Sequence, residues 1–156
     1  MKNNKGFSLV ELIIVIAIMA ILVGVMAPQL IKYIEKTNVS SDTQLCDTVK
    51  SAITTAMMDP AVINAPNNGG IPSGTAASNV SSITNTTSFG AAVEEILGFA
   101  PSGINSHIKS AHSTGTNDGV RFQIVNSNSV HVWIVNTDKD GKKRTNQASN
   151  MWIYVD

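Results

Sequence analysis

Among 156 residues carrying 11 basic and 11 acidic side chains, the acid in the strangest setting is Glu11. Val10 and Leu12 flank it, and from Leu12 to Ile31 twenty consecutive residues carry no charge. A charged side chain deep in a bilayer costs about 2.5–3.5 kcal/mol, and less near the interface. Glu11 is therefore either an interfacial residue that reaches water or an acid waiting for a positive partner.

Nothing else in the chain has chemistry in so defined a place. His107, His112 and His131 lack the spacings of a nucleophile elbow or a zinc protease. The run Gly69 to Gly74 imitates the start of a phosphate loop, but Thr75 stands where lysine is required and no strand leads in. The chain reads as a non-enzyme with no cofactor. Asp138-Lys139-Asp140-Gly141 opens like a calcium loop without the downstream glutamate, so a tight Asp-Gly turn is preferred and Asp138 and Asp140 are only weak calcium candidates. No metal is expected. Lys142-Lys143-Arg144 beside it reads as solvated loop charge, with contact to an anionic surface or nucleic acid as the alternative. Zero net charge argues against nucleic acid as the main partner. Cys46 is the single cysteine, which excludes an intrachain disulfide and a cysteine-based zinc site, and reads as small core filler.

The element that must position Glu11 is the apolar run. Twenty helical residues span ~30 Å, the thickness of a bilayer's hydrocarbon core. Lys2 and Lys5 precede the run, which keeps the N-terminus on the cytoplasmic side and the remainder of the chain outside. A secretory signal would show a small-residue cleavage site beyond the run, and Met26-Ala27-Pro28-Gln29 fits one poorly because Pro28 would follow the cut. A plain signal anchor explains the length but not Glu11. Gly24 and Pro28 weaken the same stretch of helix and predict a mild kink.

The segment Lys5-Gly6-Phe7-Ser8-Leu9-Val10-Glu11-Leu12-Ile13-Ile14 resembles the N-terminal signature of type IV pilins and pseudopilins. The resemblance covers roughly residues 1–58. It implies that a prepilin peptidase cuts after Gly6 and that the new N-terminal residue, Phe7, becomes N-methylated. Glu11 then falls at the family's glutamate and Pro28 at its proline, where the helix loosens on packing. It also implies subunit assembly through Phe7 and Glu11, the new ammonium of one subunit meeting the carboxylate of a neighbour. The implied partners are the chain itself in a filament, the peptidase, the membrane and the pilus assembly machinery. The implied localisation is the cytoplasmic membrane as precursor, then the cell surface.

The rest divides by pattern. Leu45, Val49, Ala52, Ile53, Ala56 and Met57 recur at spacings of three and four, one stripe of an amphipathic helix that Asp59-Pro60 should end. Asp42, Asp47 and Lys50 are assigned to its other faces. Residues 60–88 are rich in Pro, Gly, Asn, Ser and Thr and read as a long surface loop, followed by a short helix from Phe89 to Leu97 capped by Ser88 and stopped by Gly98. From Gly119 the period becomes two: Val120, Phe122 and Ile124, then Val130, Val132 and Ile134, then Met151, Ile153 and Val155. These form an antiparallel meander, with His107 to His112 as a weaker fourth strand. Arg121, His131, Trp133, Trp152 and Tyr154 take the opposite face, either covered by residues 60–106 or free for a surface contact.

The expected class is α+β: a long N-terminal helix, membrane-spanning in its first half and amphipathic in its second, packed on an antiparallel β-meander head. The expected division is a leader at 1–6, an assembly helix at 7–31 and a head at 32–156. Within the head, 32–58 is amphipathic helix, 60–106 a variable loop region and 107–156 the sheet. The favoured function is a structural filament subunit. A pseudopilin of a secretion or competence machine is the alternative, and a monomeric membrane-anchored binding module the second.

Overall fold

A computed structural model describes residues 8–72, 76–109, 119–126, 129–135 and 151–155, the side chains of 126, 135 and 151–155 excepted. It has an apolar N-terminal helix followed by a small antiparallel sheet, the α+β class expected of a pilin-like chain. The chain divides into two compact units, Met1–Thr37 and Asn38–Asp156.

Helix α1 runs from Leu9 to Met58 with Pro28 inside it. It stops where expected, because the residue before a proline resists the helical region. Asp59 then caps the next element, its Oδ1 accepting from the Ala61 N–H at 2.7 Å, to open the single turn α2, Pro60–Ile63. Four threonines in α1, at 37, 43, 48 and 54, donate their hydroxyls to carbonyls four residues back, which satisfies them without partners elsewhere.

Inside the second unit, the stripe of α1 built from Cys46, Val49, Ala52, Ile53 and Ala56 is fully buried. Strands β2 (Val120–Asn126) and β3 (Ser129–Val135) cover it with Val120, Phe122, Val130, Val132 and Ile134. Val62, Val80, Ile83, Phe89, Val93 and Ile104 close the same core. Each fully buried aliphatic or aromatic side chain of this kind contributes about 1.5–3 kcal/mol. With β1 at Ser78–Asn79 and β4 at Met151–Val155, the sheet order is β1-β2-β3-β4, all antiparallel. In register, Phe122 faces Val132 and Val132 faces Val155, while Arg121 faces Trp133 and Trp133 faces Tyr154.

Four local expectations change. The fourth strand is β1, Ser78–Asn79, paired with Phe122 and Arg121, and not His107 to His112. His107 instead ends a 3-10 stretch, Pro101–His107, and residues 110–112 lie outside the described part. The described part of 60–88 is more than a surface loop: besides α2 and β1 it forms 3-10 turns at Pro66–Gly70 and Val80–Ser82, and it buries Val62, Gly69, Val80 and Ile83. The run Asn67-Asn68-Gly69-Gly70 is left-handed throughout, with φ of 55°, 52°, 64° and 82°. Helix α3, Ser88–Leu97, takes Thr87 as its cap, one residue before Ser88, with the Thr87 Oγ1 accepting from the Gly90 N–H at 3.0 Å.

The fourth change concerns charge. Asp42 lies on the buried stripe, one turn before Cys46, with no exposed surface. Its Oδ1 accepts the Lys109 backbone N–H at 2.8 Å, a contact 67 residues apart in sequence. A buried carboxylate is tolerated where it answers backbone donors that would otherwise go unmet.

Burial first, then the nearby Asp42 and Asp47, push the Cys46 thiol up from an ordinary 9.0 to about 12. The thiolate is the nucleophile, so this cysteine is inert at neutral pH. In the native chain at pH 8 a maleimide should leave Cys46 unmodified for hours, and denaturant should expose it to full labelling within minutes. The folded chain holds this proton more tightly than the unfolded one. The corresponding stability is therefore complete below pH ~9 and is lost as pH rises toward ~12.

Candidate functional site

The candidate site is the start of α1. Ser8 stands just before the helix and Glu11 in its first turn. Ser8 accepts the Leu12 N–H on its carbonyl at 3.2 Å, and its own N–H donates to Glu11 Oε2 at 2.9 Å. A serine followed three residues later by a glutamate that reaches back to the serine N–H is the acid half of a capping box. The carboxylate also faces the positive end of the helix dipole. Glu11 is thus held at the helix N-terminus by its own backbone. Sequence reasoning treated Ser8 as part of a signature and missed its local role, although the Ser-x-x-Glu spacing was present.

Beyond this cap every side chain from Leu9 to Ile34 is exposed, including Leu12, Ile16, Met19, Leu22, Met26 and Leu30. A helix apolar all round belongs in lipid or in the core of a larger assembly. By length and composition α1 is able to cross a membrane. Gly24 has no heavy atom near its Cβ direction, and the helix is continuous through Pro28. Gly6 and Phe7, the cleavage and methylation candidates, lie outside the described residues.

The remaining candidates scatter. Trp133 is 5% exposed, half-buried Arg121 lies opposite it on β2, and the side chains of Trp152 and Tyr154 lie outside the described part. So do Asp138, Asp140, Lys142, Lys143, Arg144 and His112. His107 stacks on Phe99 with ring centroids 4.3 Å apart, and His131 Nε2 sits 3.3 Å from Ser129 Oγ. Among the described residues no three His, Cys, Asp or Glu side chains gather in a way that could hold a metal.

An exposed apolar helix, able by length and composition to cross a membrane, thus carries one acid at its capped start. Residues 1–27 match the family model described as the prokaryotic N-terminal methylation motif. The chain carries the type IV prepilin signature, the mark of type IV pilin-like and pseudopilin proteins. That signature implies processing by a prepilin peptidase, and its family is structural rather than catalytic. No curated protein and no solved structure matches the chain.

Proposed function

We propose that this chain is the structural subunit of a type IV pilus-like extracellular filament. The precursor spans the cytoplasmic membrane with Lys2 and Lys5 inside and the second unit outside. Prepilin peptidase removes residues 1–6, Phe7 becomes the methylated N-terminus, and the stem leaves the membrane to pack among copies of itself. The observation that carries this reading is Glu11, capped at the head of a helix whose apolar side chains from Leu9 to Ile34 are all exposed.

The chemistry of assembly follows from the charges. Cleavage creates an ammonium on Phe7, four residues before Glu11. In a staggered fibre that ammonium meets the Glu11 carboxylate of a neighbour in an environment of low dielectric. At ~4 Å and an effective dielectric of ~20 the attraction is about 4 kcal/mol before desolvation is subtracted. A mismatched register leaves both charges buried and alone, so the pair selects one stagger more than it adds stability. The Ser8 N–H keeps the carboxylate partly answered before a neighbour arrives.

Electron microscopy of cells with a gold-labelled antibody to this chain tests the proposal. Labelled filaments reaching beyond the cell surface are expected. Label confined to the envelope, with filaments absent even on overexpression, assigns the chain to the short fibre of a secretion or competence machine.

A further inference from the structure

From its residues and placement we infer that Lys32, Tyr33 and Lys36 form a collar that binds the phosphodiester groups of anionic phospholipids at the outer face of the membrane. This inference rests on the membrane-spanning reading of the stem. The first charges after Glu11 are Lys32, Glu35 and Lys36. Lys32 lies twenty-one helical positions after Glu11, a rise of about 31 Å, against a hydrocarbon core of ~30 Å. With Glu11 at the inner interface, Lys32 and Tyr33 emerge at the depth of the outer phosphates.

The local geometry fits that depth. Tyr33 is 65% exposed, and both lysines are exposed too. Lys36 sits one turn further along, yet its Nζ reaches back to 5.9 Å from the centre of the Tyr33 ring. Helical side chains lean toward the N-terminus, which here is toward the membrane, and the Lys36 ammonium accordingly returns to the Tyr33 ring. Tyr33 supplies the amphipathic ring favoured at this boundary, apolar on its body and polar at its hydroxyl. The Tyr33 carbonyl is closed off by the Thr37 hydroxyl at 3.0 Å. Two lysines against Glu35 leave one net positive charge, complementary to a phosphate layer. The collar would fix how deep the stem sits while it waits for assembly.

The test uses the full chain with Lys2→Gln and Lys5→Gln, so that the leader contributes no side-chain cations. It is reconstituted in nanodiscs of equal phosphatidylcholine and phosphatidylglycerol, and native mass spectrometry reads which lipids stay bound. The expected result is retention of phosphatidylglycerol over phosphatidylcholine by about fivefold, falling to about unity when Lys32→Gln and Lys36→Gln are added. No preference in the parent chain, or a preference that survives the added changes, overturns the inference. So does a pair of variants that abolishes assembly while lipid retention is unchanged, since the lysines then serve a neighbouring copy. Resistance to a carbonate wash is scored in the same samples. A chain washed off the bilayer sinks the membrane reading itself, whereas a chain that stays inserted without lipid preference sinks only the collar.

Discussion

Glu11→Gln should abolish surface filaments while leaving the precursor inserted and cleaved. Glutamine fits the third position of a capping box as glutamate does, so the bond from the Ser8 N–H survives and the helix begins at the same residue. Only the charge is deleted. Insertion should be unharmed or improved, because a carboxylate at the edge of the apolar run carries a cost that an amide avoids. Cleavage should continue, since Gly6 and Phe7 are untouched. In the fibre, however, each Phe7 ammonium would enter an apolar environment without its counter-charge. Leaving one member of a buried pair alone costs ~3–5 kcal/mol, and a filament repeats that loss at every subunit. Shear fractions from cells should therefore contain less than about one hundredth of the wild-type subunit. Glu11→Ala removes the cap as well as the charge, so a similar loss with Ala and none with Gln would assign the effect to helix capping instead. Filaments of normal yield from the Gln variant would remove charge pairing as the device that sets register.

Gly69→Ala should sharply destabilise the second unit. Gly69 has φ +64°, and a Cβ there would lie 2.7 Å from the Val62 carbonyl oxygen and 2.8 Å from its Cγ1. The left-handed conformation alone costs an L-residue roughly 1–2 kcal/mol, and the buried contact with Val62 cannot relax without moving α2. The expected loss is about 3 kcal/mol, a fall in Tm on the order of 10 °C for a unit of this size. Gly103→Ala is the control, because nothing lies near its Cβ direction and its φ is not left-handed. It should leave Tm within about 2 °C. Thermal melts of both variants in detergent, followed by near-ultraviolet circular dichroism, decide the matter. Equal melting temperatures would mean that the turn is not locked.

The elements legible in the sequence were those that announce themselves by period or by an unbroken run. The apolar stem forms a helix, the helix stops at Asp59-Pro60, and three strands follow where the period is two. Val49, Ala52, Ile53 and Ala56 of the stripe and Val120, Phe122, Val130, Val132 and Ile134 of the first two of those strands are buried as the pattern selects. What escaped depended on partners far away in the chain. Asp42 looked like an outer-face charge because its partner, the Lys109 N–H, is 67 residues distant. Strand β1 has two residues, Ser78 and Asn79, too few for any alternation. Asn67 to Gly70 has the composition of a turn, and composition does not reveal that Gly69 is packed against Val62 and Gly70 against Thr87. Thr87 and Ser88 are adjacent and both able to cap, so only geometry separates them. At the site itself, the signature and Glu11 were legible from spacing. The bond that holds Glu11 to Ser8 was hidden by reading the acid only against the membrane.

The central claim is that this chain is processed as a prepilin, and the intact mass of the protein from the cell envelope tests it most directly. The predicted species begins at Phe7, lacks residues 1–6 and carries the additional mass of one methyl group on its N-terminal amine. Losing Lys2 and Lys5 leaves 11 − 2 = 9 basic side chains against 11 acidic ones, so the same species should also migrate as a net acidic protein. A mass that retains Met1 to Gly6, or one that begins beyond Ala27, would contradict the account.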